Sequence, residues 1–281
     1  MSFPSAAAQR IALTDDRGKS VALARPVQRI VSTAPHLTEL AFAAGAGASL
    51  AGVASYSDFP PEARKLPQVG DAARVDLERI VALEPGLILA WKSGNQAGDI
   101  ERLERLGYPV FVTEPSQLTD IPRLLLLIGA LAGTEPSAEG AASTFERDME
   151  ALRVRFSMAA KVRVFYEVWH RPLITVSGQH MIGDVIALCG GENVFASSRT
   201  LVPAVSVEAL VAATPEVILG GARPGGAEAF ARDWRESAAG PLRGVPVFYV
   251  DPDLIQRQTP RIVEGARAIC AHLDQVRGSR R

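Results

Sequence analysis

Apolar residues in this chain fall into short dense runs, separated by longer stretches in which they recur every three to four positions. Residues 29–32 (RIVS), 51–55 (AGVAS), 87–90 (LILA) and 109–112 (PVFV) have the length and apolar character of buried strands, and residues 35–44 and 99–106 between them are spaced as helices. The alternation returns further on. Strands are predicted at 163–168, 174–176, 217–219 and 247–250, and helices at 181–188, 228–238 and 260–276. Strands that alternate with helices mean parallel βαβ units and an α/β fold. Ahead of them, two alternating runs in residues 10–23 flank Asp15-Asp16-Arg17-Gly18 and predict a β-hairpin. The middle of the chain is helical only, at 118–132 and from Ser137 to about residue 159; the second helix, about 33 Å long, is a stiff connector.

One stretch occurs twice. VDLERIVALEPGLILA (75–90) and VSVEALVAATPEVILG (205–220) share V-x-x-E-x-[IL]-V-A-x-x-P-x-[VL]-I-L at a constant offset, Glu78 answering to Glu208. In each copy a carboxylate lies in the first helical turn, against the positive end of the helix dipole. A helix feeding a buried strand, repeated once at long range, implies two similar α/β lobes rather than a solenoid. The expected organisation is a lobe over 1–135, a connecting helix over 136–160 and a lobe over 161–281. Either glutamate alone would read as a helix cap; two matched copies weaken that reading.

Composition narrows the class. With 47% hydrophobic and 22% charged residues the chain is globular, and its net charge of −1 offers no electrostatic footing for nucleic acid or an anionic membrane. No run approaches the ~18 apolar residues of a membrane span. Residues 1–8 lack the basic and apolar segments of a secretion signal, which leaves a cytoplasmic chain or a signal removed or lying upstream. Cys189 and Cys270 both fall on apolar helix faces, as two buried thiols or as one disulfide.

Enzyme signatures are missing: there is no GxSxG elbow, no phosphate-binding loop and no GxGxxG, and Gly220–Gly226 reads as a surface turn. The histidines (His36, His170, His180, His272) show no metal-ligand spacing; His36 and His170 follow strands, whereas His272 reads as structural. What the predicted loops carry is aromatic and charged residues: Tyr56, Phe59, Trp91, Trp169, Asp253 and Arg257. Aromatic walls with a few directing charges suit a large, flat, partly apolar ligand.

Several segments, APHLTELAFAAGAG, GVASYSDFPPEA, LERIVALEPGLILAW, ALCGGENVF and the Asp253–Arg257 loop with Pro260-Arg261-Ile262, resemble a periplasmic substrate-binding protein of an ABC importer, in particular the cobalamin-binding BtuF type. The resemblance runs from about Arg29 to the last helix. It implies two Rossmann-like lobes joined by a rigid long helix, the class III arrangement, with a ligand held in the cleft, no catalysis and no cofactor or metal of its own. It also implies a Cys189–Cys270 disulfide and hence a periplasmic location, and it places Glu78 and Glu208 as docking residues for a two-fold permease dimer. Tyr56, Asp253 and Arg257 match cobalamin-contacting positions; Trp91 matches a position in the cleft. His36 and Trp169 join them as expected ligand contacts. Two family tryptophans are replaced, near Ala72 and Val202, while Trp169 and His170 are additional. Each lost indole removes an apolar face of roughly 150–250 Å², which keeps open haem or a ferric siderophore, with His36, Tyr56 or Tyr166 on the iron. A monomer is expected. A cytoplasmic α/β enzyme is the reading with least support, for want of a nucleophile and base.

Overall fold

The computed structural model describes residues 10–221, 225–237 and 240–280; residues 1–8 and the middle of the Gly220–Gly226 loop therefore lie outside the described residues, as does Ala238 at the end of a predicted helix. Packing divides the chain into two units. One takes the described residues up to Pro115 with Asp120–Thr144, the other Ser116–Thr119 with Phe145 onward.

In the first unit the predicted hairpin forms, β1 (Ile11–Thr14) antiparallel to β2 (Ser20–Leu23). There follow β3 (Ile30–Ser32), α1 (Pro35–Ala43), β4 (Leu50–Val53), α2 (Leu77–Ala82), β5 (Leu87–Trp91), α3 (Ala97–Arg105), β6 (Val110–Thr113) and α4 (Asp120–Ala132). The four strands from β3 to β6 make a parallel sheet in the order β4-β3-β5-β6. Every residue of β3 and β6 is buried, as a sheet covered by helices on both faces requires. One core cluster joins Val31, Ile88, Val110 and Val112 of the strands to Ile80 of α2 and to Ile100 and Leu103 of α3.

The edge strand β6 is closed by the hairpin turn. Asp16 N donates to Val112 O (2.9 Å), Val112 N to Asp15 Oδ2 (3.3 Å) and Glu114 N to Asp16 Oδ2 (2.6 Å). An edge left bare would template pairing with other chains. Burial works against the charge on Asp15. Hydrogen bonds from the Arg17 side chain and from the amides of Lys19, Arg17 and Val112 outweigh it and hold the carboxyl below its usual range.

The second unit repeats the plan. After α5 (Glu135–Phe156) come β7 (Val162–Glu167), α6 (Met181–Leu188), β8 (Gly191–Asn193), α7 (Val207–Ala212), β9 (Val217–Gly220), α8 (Gly226–Ser237), β10 (Val247–Tyr249), α9 (Pro252–Ile255) and α10 (Ile262–Ser279). The sheet is parallel with order β10-β9-β7-β8, the same connectivity as in the first unit. Phe165 and Ile218 anchor its core, under Leu210, Phe230 and Trp234.

Four expectations shift. The strand predicted at 174–176 does not form: Ile174 makes only isolated bridges to Trp169 and Ala204. The strand beside β7 is instead β8, whose sequence Gly-Glu-Asn carries no apolar run. Ser137 lies inside α5 rather than starting it, because Thr134 accepts the amides of Ser137 and Ala138 and its hydroxyl donates to Ala44 O (2.7 Å). The Asp253–Arg257 loop opens as part of a one-turn helix, α9, with the Asp251 carboxylate accepting from Asp253 N (2.9 Å).

The repeat extends to its caps. Asp76 Oδ1 accepts from Arg79 N (3.0 Å) at the start of α2, and Ser206 Oγ from Ala209 N (3.1 Å) at the start of α7. Glu84 and Thr214, each before the shared proline, both adopt left-handed backbone (φ 45° and 42°). Arg29 donates to Leu83 O and Arg163 to Ala213 O, so an arginine just before β3 and another within β7 close the ends of the repeated helices.

Cys189, at the end of α6, and Cys270, in α10, are disulfide-bonded, with Cα atoms 4.8 Å apart. A thiol assay on denatured, unreduced protein is expected to find no free cysteine, and replacing both by serine to cost about 2–5 kcal/mol of stability in denaturant titrations. Two titratable thiols would contradict the pairing. A second expectation concerns His180, whose Nδ1 accepts from Ile182 N (3.1 Å) to cap α6 and whose pKa burial lowers to about 4. Between that value and the unfolded value near 6.5 the unfolded chain binds more protons, so this contribution is complete above pH ~6.5 and fades as pH falls towards 4. Denaturation against pH should lose on the order of 1–3 kcal/mol over that window; in His180→Asn, which keeps an acceptor at the cap, the slope should flatten.

Candidate functional site

The candidate ligand residues lie at or shortly after the carboxyl ends of the strands, where open α/β sheets bind ligands. In the first unit, Tyr56 follows β4. Its neighbours Ala54 and Ser57 are buried, and Ser57 Oγ meets Thr38 Oγ1 (2.9 Å), which meets Ser32 Oγ (2.8 Å). With the loop clamped on both sides, Tyr56 takes a left-handed backbone (φ 65°) and the residue is 77% exposed. A non-glycine residue in that region is uncommon and costs on the order of 1 kcal/mol or more.

Trp91 is the last residue of β5 and is set by Asn95. The Asn95 carbonyl accepts from Trp91 N (2.7 Å) and from Thr33 Oγ1 (2.7 Å), and its amide donates to Ala72 O (2.7 Å) and Thr33 O (3.3 Å). Gly94 leaves room for the indole: a Cβ there would stand 1.9 Å from the ring. His36, in the first turn of α1, is buried and meets Trp91 edge-on, ring centres 5.0 Å apart. Its visible contribution is the seat of Trp91. Sequence reasoning missed Asn95; Gly94-Asn95 directly after an aromatic strand end was the available signal.

In the second unit, Trp169 follows β7. A Trp169–Ile174 bridge closes the turn, the indole N–H is committed to Arg171 O (3.0 Å), and the residue is 52% exposed. Next to it His170 Nδ1 lies 3.2 Å from Glu167 Oε2. Asp253 sits in α9, after β10, and pairs with Arg257 at 3.0 Å, the guanidinium side chain 16% exposed and the carboxylate 47%. Tyr166 is fully buried within β7, its hydroxyl accepting from Gln256 Nε2 (3.4 Å). Burial pushes that phenol far above its usual range, which disfavours the phenolate an iron ligand requires.

Glu78 and Glu208 are exposed in the first turns of α2 and α7. In both units these helix starts are tied to the ligand-loop edge. Asp76 N donates to Val69 O and Ser55 N to Gly70 O, which joins α2 to the chain beside Tyr56. Val205 N donates to Leu173 O, and Ile174 bridges both Ala204 and Trp169. The surroundings differ. Glu78 is flanked by Arg74 and Arg79, Glu208 by the exposed Val207, Leu201 and Val202. Its own backbone amide and the Ser206 hydroxyl hold the Glu208 carboxyl below its usual range. Cavities of about 490 Å³ (lined by Phe156, Asp184 and Leu188) and about 230 Å³ (lined by Val21, Glu104 and Tyr108) include none of these residues. Among the described residues no cluster of His, Cys, Asp and Glu could hold a metal, and no helix is long and apolar enough to cross a membrane.

Comparison with known proteins agrees with this geometry. Residues 30–238 match the periplasmic binding protein family. The vitamin B12-binding protein of Vibrio parahaemolyticus is 34% identical over 255 residues, covering 91% of this chain and 92% of the relative. The crystal structure of the periplasmic vitamin B12-binding protein BtuF of Vibrio cholerae superposes with a TM-score of 0.79 at 30% identity, over 90% of this chain and 98% of that one. A periplasmic haem-binding protein, RhuT of Roseiflexus sp. RS-1, shares the fold at a TM-score of 0.76 and 22% identity, over 89% of this chain and 99% of that one. This chain belongs to the periplasmic binding protein family, whose members bind substrates for transport and are not enzymes.

Proposed function

We propose that this protein captures cobalamin or a related corrinoid in the periplasm and delivers it to the permease dimer of an ABC importer, acting as a monomer. The observation that carries this reading is 34% identity to a vitamin B12-binding protein along 91% of the chain. The chemistry of the loops agrees with it. Tyr56, Trp91 and Trp169 offer rigidly seated aromatic faces to a flat, largely apolar macrocycle, and Asp253 with Arg257 offers a donor and an acceptor for its amide rim. His36 serves by holding Trp91. Glu78 and Glu208 are the docking residues: a two-fold partner presenting the same basic pocket twice calls for one acid on each of two similar units.

Titration of the purified protein with cyanocobalamin should give stoichiometric binding, followed by absorbance or by quenching of tryptophan fluorescence. Arg257→Ala and Trp169→Ala should each weaken it by about 10- to 100-fold. Tight binding of haemin with none of cyanocobalamin would overturn the corrinoid reading in favour of a haem carrier.

Because helix starts and ligand loops share one edge in each unit, docking is tested with ligand affinity as its control. Glu78→Lys combined with Glu208→Lys should abolish stimulation of reconstituted importer activity, since reversing a charge in a docked pair costs about 2–5 kcal/mol or more. Cyanocobalamin affinity should stay unchanged. A double variant that still stimulates transport, or that binds ligand poorly, removes the docking role.

A further inference from the structure

His170 differs from the other three histidines in how its ring is held. His36 is buried against Trp91, His180 spends Nδ1 on capping α6, and His272 stacks on Phe248 at 4.5 Å. His170 stands in the turn after β7, beside the exposed Trp169, with Nδ1 3.2 Å from Glu167 Oε2. Glu167 is only 3% exposed. With an Nδ1 proton turned to that carboxyl, a neutral imidazole keeps its lone pair on Nε2. On its other side the ring meets the buried Trp234 edge-on, with centres 5.7 Å apart, which together with the carboxylate fixes its plane. The side chain is 18% exposed, and among the described residues no hydrogen bond engages Nε2.

An imidazole oriented through Nδ1 by a buried carboxylate, with Nε2 unengaged, is the arrangement proteins use for a metal ligand, because the carboxylate selects the tautomer and raises the basicity of the other nitrogen. No second protein ligand is needed if the metal arrives already held in a planar macrocycle. Trp169, the preceding residue in the same turn, has its N–H satisfied there and is half exposed, which leaves indole surface free for a ring system. We infer that His170 Nε2 is an axial ligand for the metal of the bound macrocycle, displacing water from an open axial position. The step is a ligand exchange: the Nε2 lone pair forms the metal–nitrogen bond, the coordinated water leaves to solvent, and the metal keeps its oxidation state. Cobalt in a corrinoid without its own lower base and iron in haem share this chemistry. The inference rests on the proposed reading that a metallo-macrocycle occupies these loops. It would make the protein a scavenger of incomplete corrinoids as well as of cobalamin.

The test uses the full chain with diaquacobinamide, a corrinoid whose axial positions carry only water. Binding to wild type should shift the visible spectrum towards that of a nitrogen-ligated corrinoid. After reduction to the cobalt(II) form, electron paramagnetic resonance should show superhyperfine splitting from a single nitrogen. In His170→Gln both signatures should vanish and diaquacobinamide affinity should fall at least ten-fold, a larger loss than for cyanocobalamin, whose axial positions are filled, with thermal stability unchanged. Splitting that persists in His170→Gln, or its absence from wild type that binds diaquacobinamide, overturns the assignment while leaving corrinoid capture intact. If neither corrinoid binds but haemin does, a histidine-ligated haem spectrum lost in His170→Gln assigns the same nitrogen to iron and refutes only the corrinoid reading. If haemin binding is indifferent to His170, or nothing binds, both proposals fall.

Discussion

Burial of a parallel sheet on both faces is the constraint on which the rest of each unit depends. Strands such as Val110–Thr113 and Val162–Glu167 are buried almost throughout, so their side chains are spent on packing and carry no chemistry outward. Backbone polarity is satisfied by the ladder, edge strand β6 by the hairpin turn, and the helix ends by Arg29 and Arg163. What remains free to meet a ligand or a partner is the row of loops at the carboxyl ends of the strands. Tyr56 and Trp169 stand there, with Trp91 at the end of β5 and Asp253 and Arg257 in and just after α9.

Loops in that position would hold an aromatic face poorly if they were mobile, and an immobilised side chain binds with less entropy to lose. The polar groups buried beneath them supply the rigidity. The chain of hydroxyls from Ser32 through Thr38 to Ser57 clamps the loop that thrusts Tyr56 outward. Asn95 ties Trp91, Thr33 and Ala72 into one network with both ends of its amide in use. Glu167 holds His170 in the same way. Each is a buried polar group with partners, and each would be costly to leave unpaired. Exposed aromatic residues above and satisfied polar residues below form one design, repeated in two units with different residues.

The duplicated stretch shows what duplication kept. Caps, the left-handed residue before the proline, the arginine at the helix end and the exposed glutamate survive in both copies, because each answers a local backbone or charge requirement. The flanks diverged: Arg74 and Arg79 beside Glu78, apolar Leu201, Val202 and Val207 beside Glu208. Nothing in the backbone demands that the surface around a first-turn carboxylate be one or the other.

The amino-acid sequence alone determined the periodicities, and with them the α/β class, the paired units, the hairpin and most element positions, because hydrophobic spacing and cap chemistry are local. Its motifs also carried the resemblance to periplasmic substrate-binding proteins of ABC importers. Tertiary structure decided what depends on distant neighbours. Strand β8, with only Gly-Glu-Asn, exists because β7 lies beside it, while residues 174–176, apolar enough for a strand, find only single bridges. Cys189 and Cys270 left two readings open until α6 and α10 packed together. Tyr166 looked available as an iron ligand, but burial of β7 on both faces enclosed its hydroxyl. Asn95 and the Glu167–His170 pair stayed invisible for the same reason: a hydrogen bond reports where two groups meet in space, and sequence spacing fixes that only within a turn or two of one element.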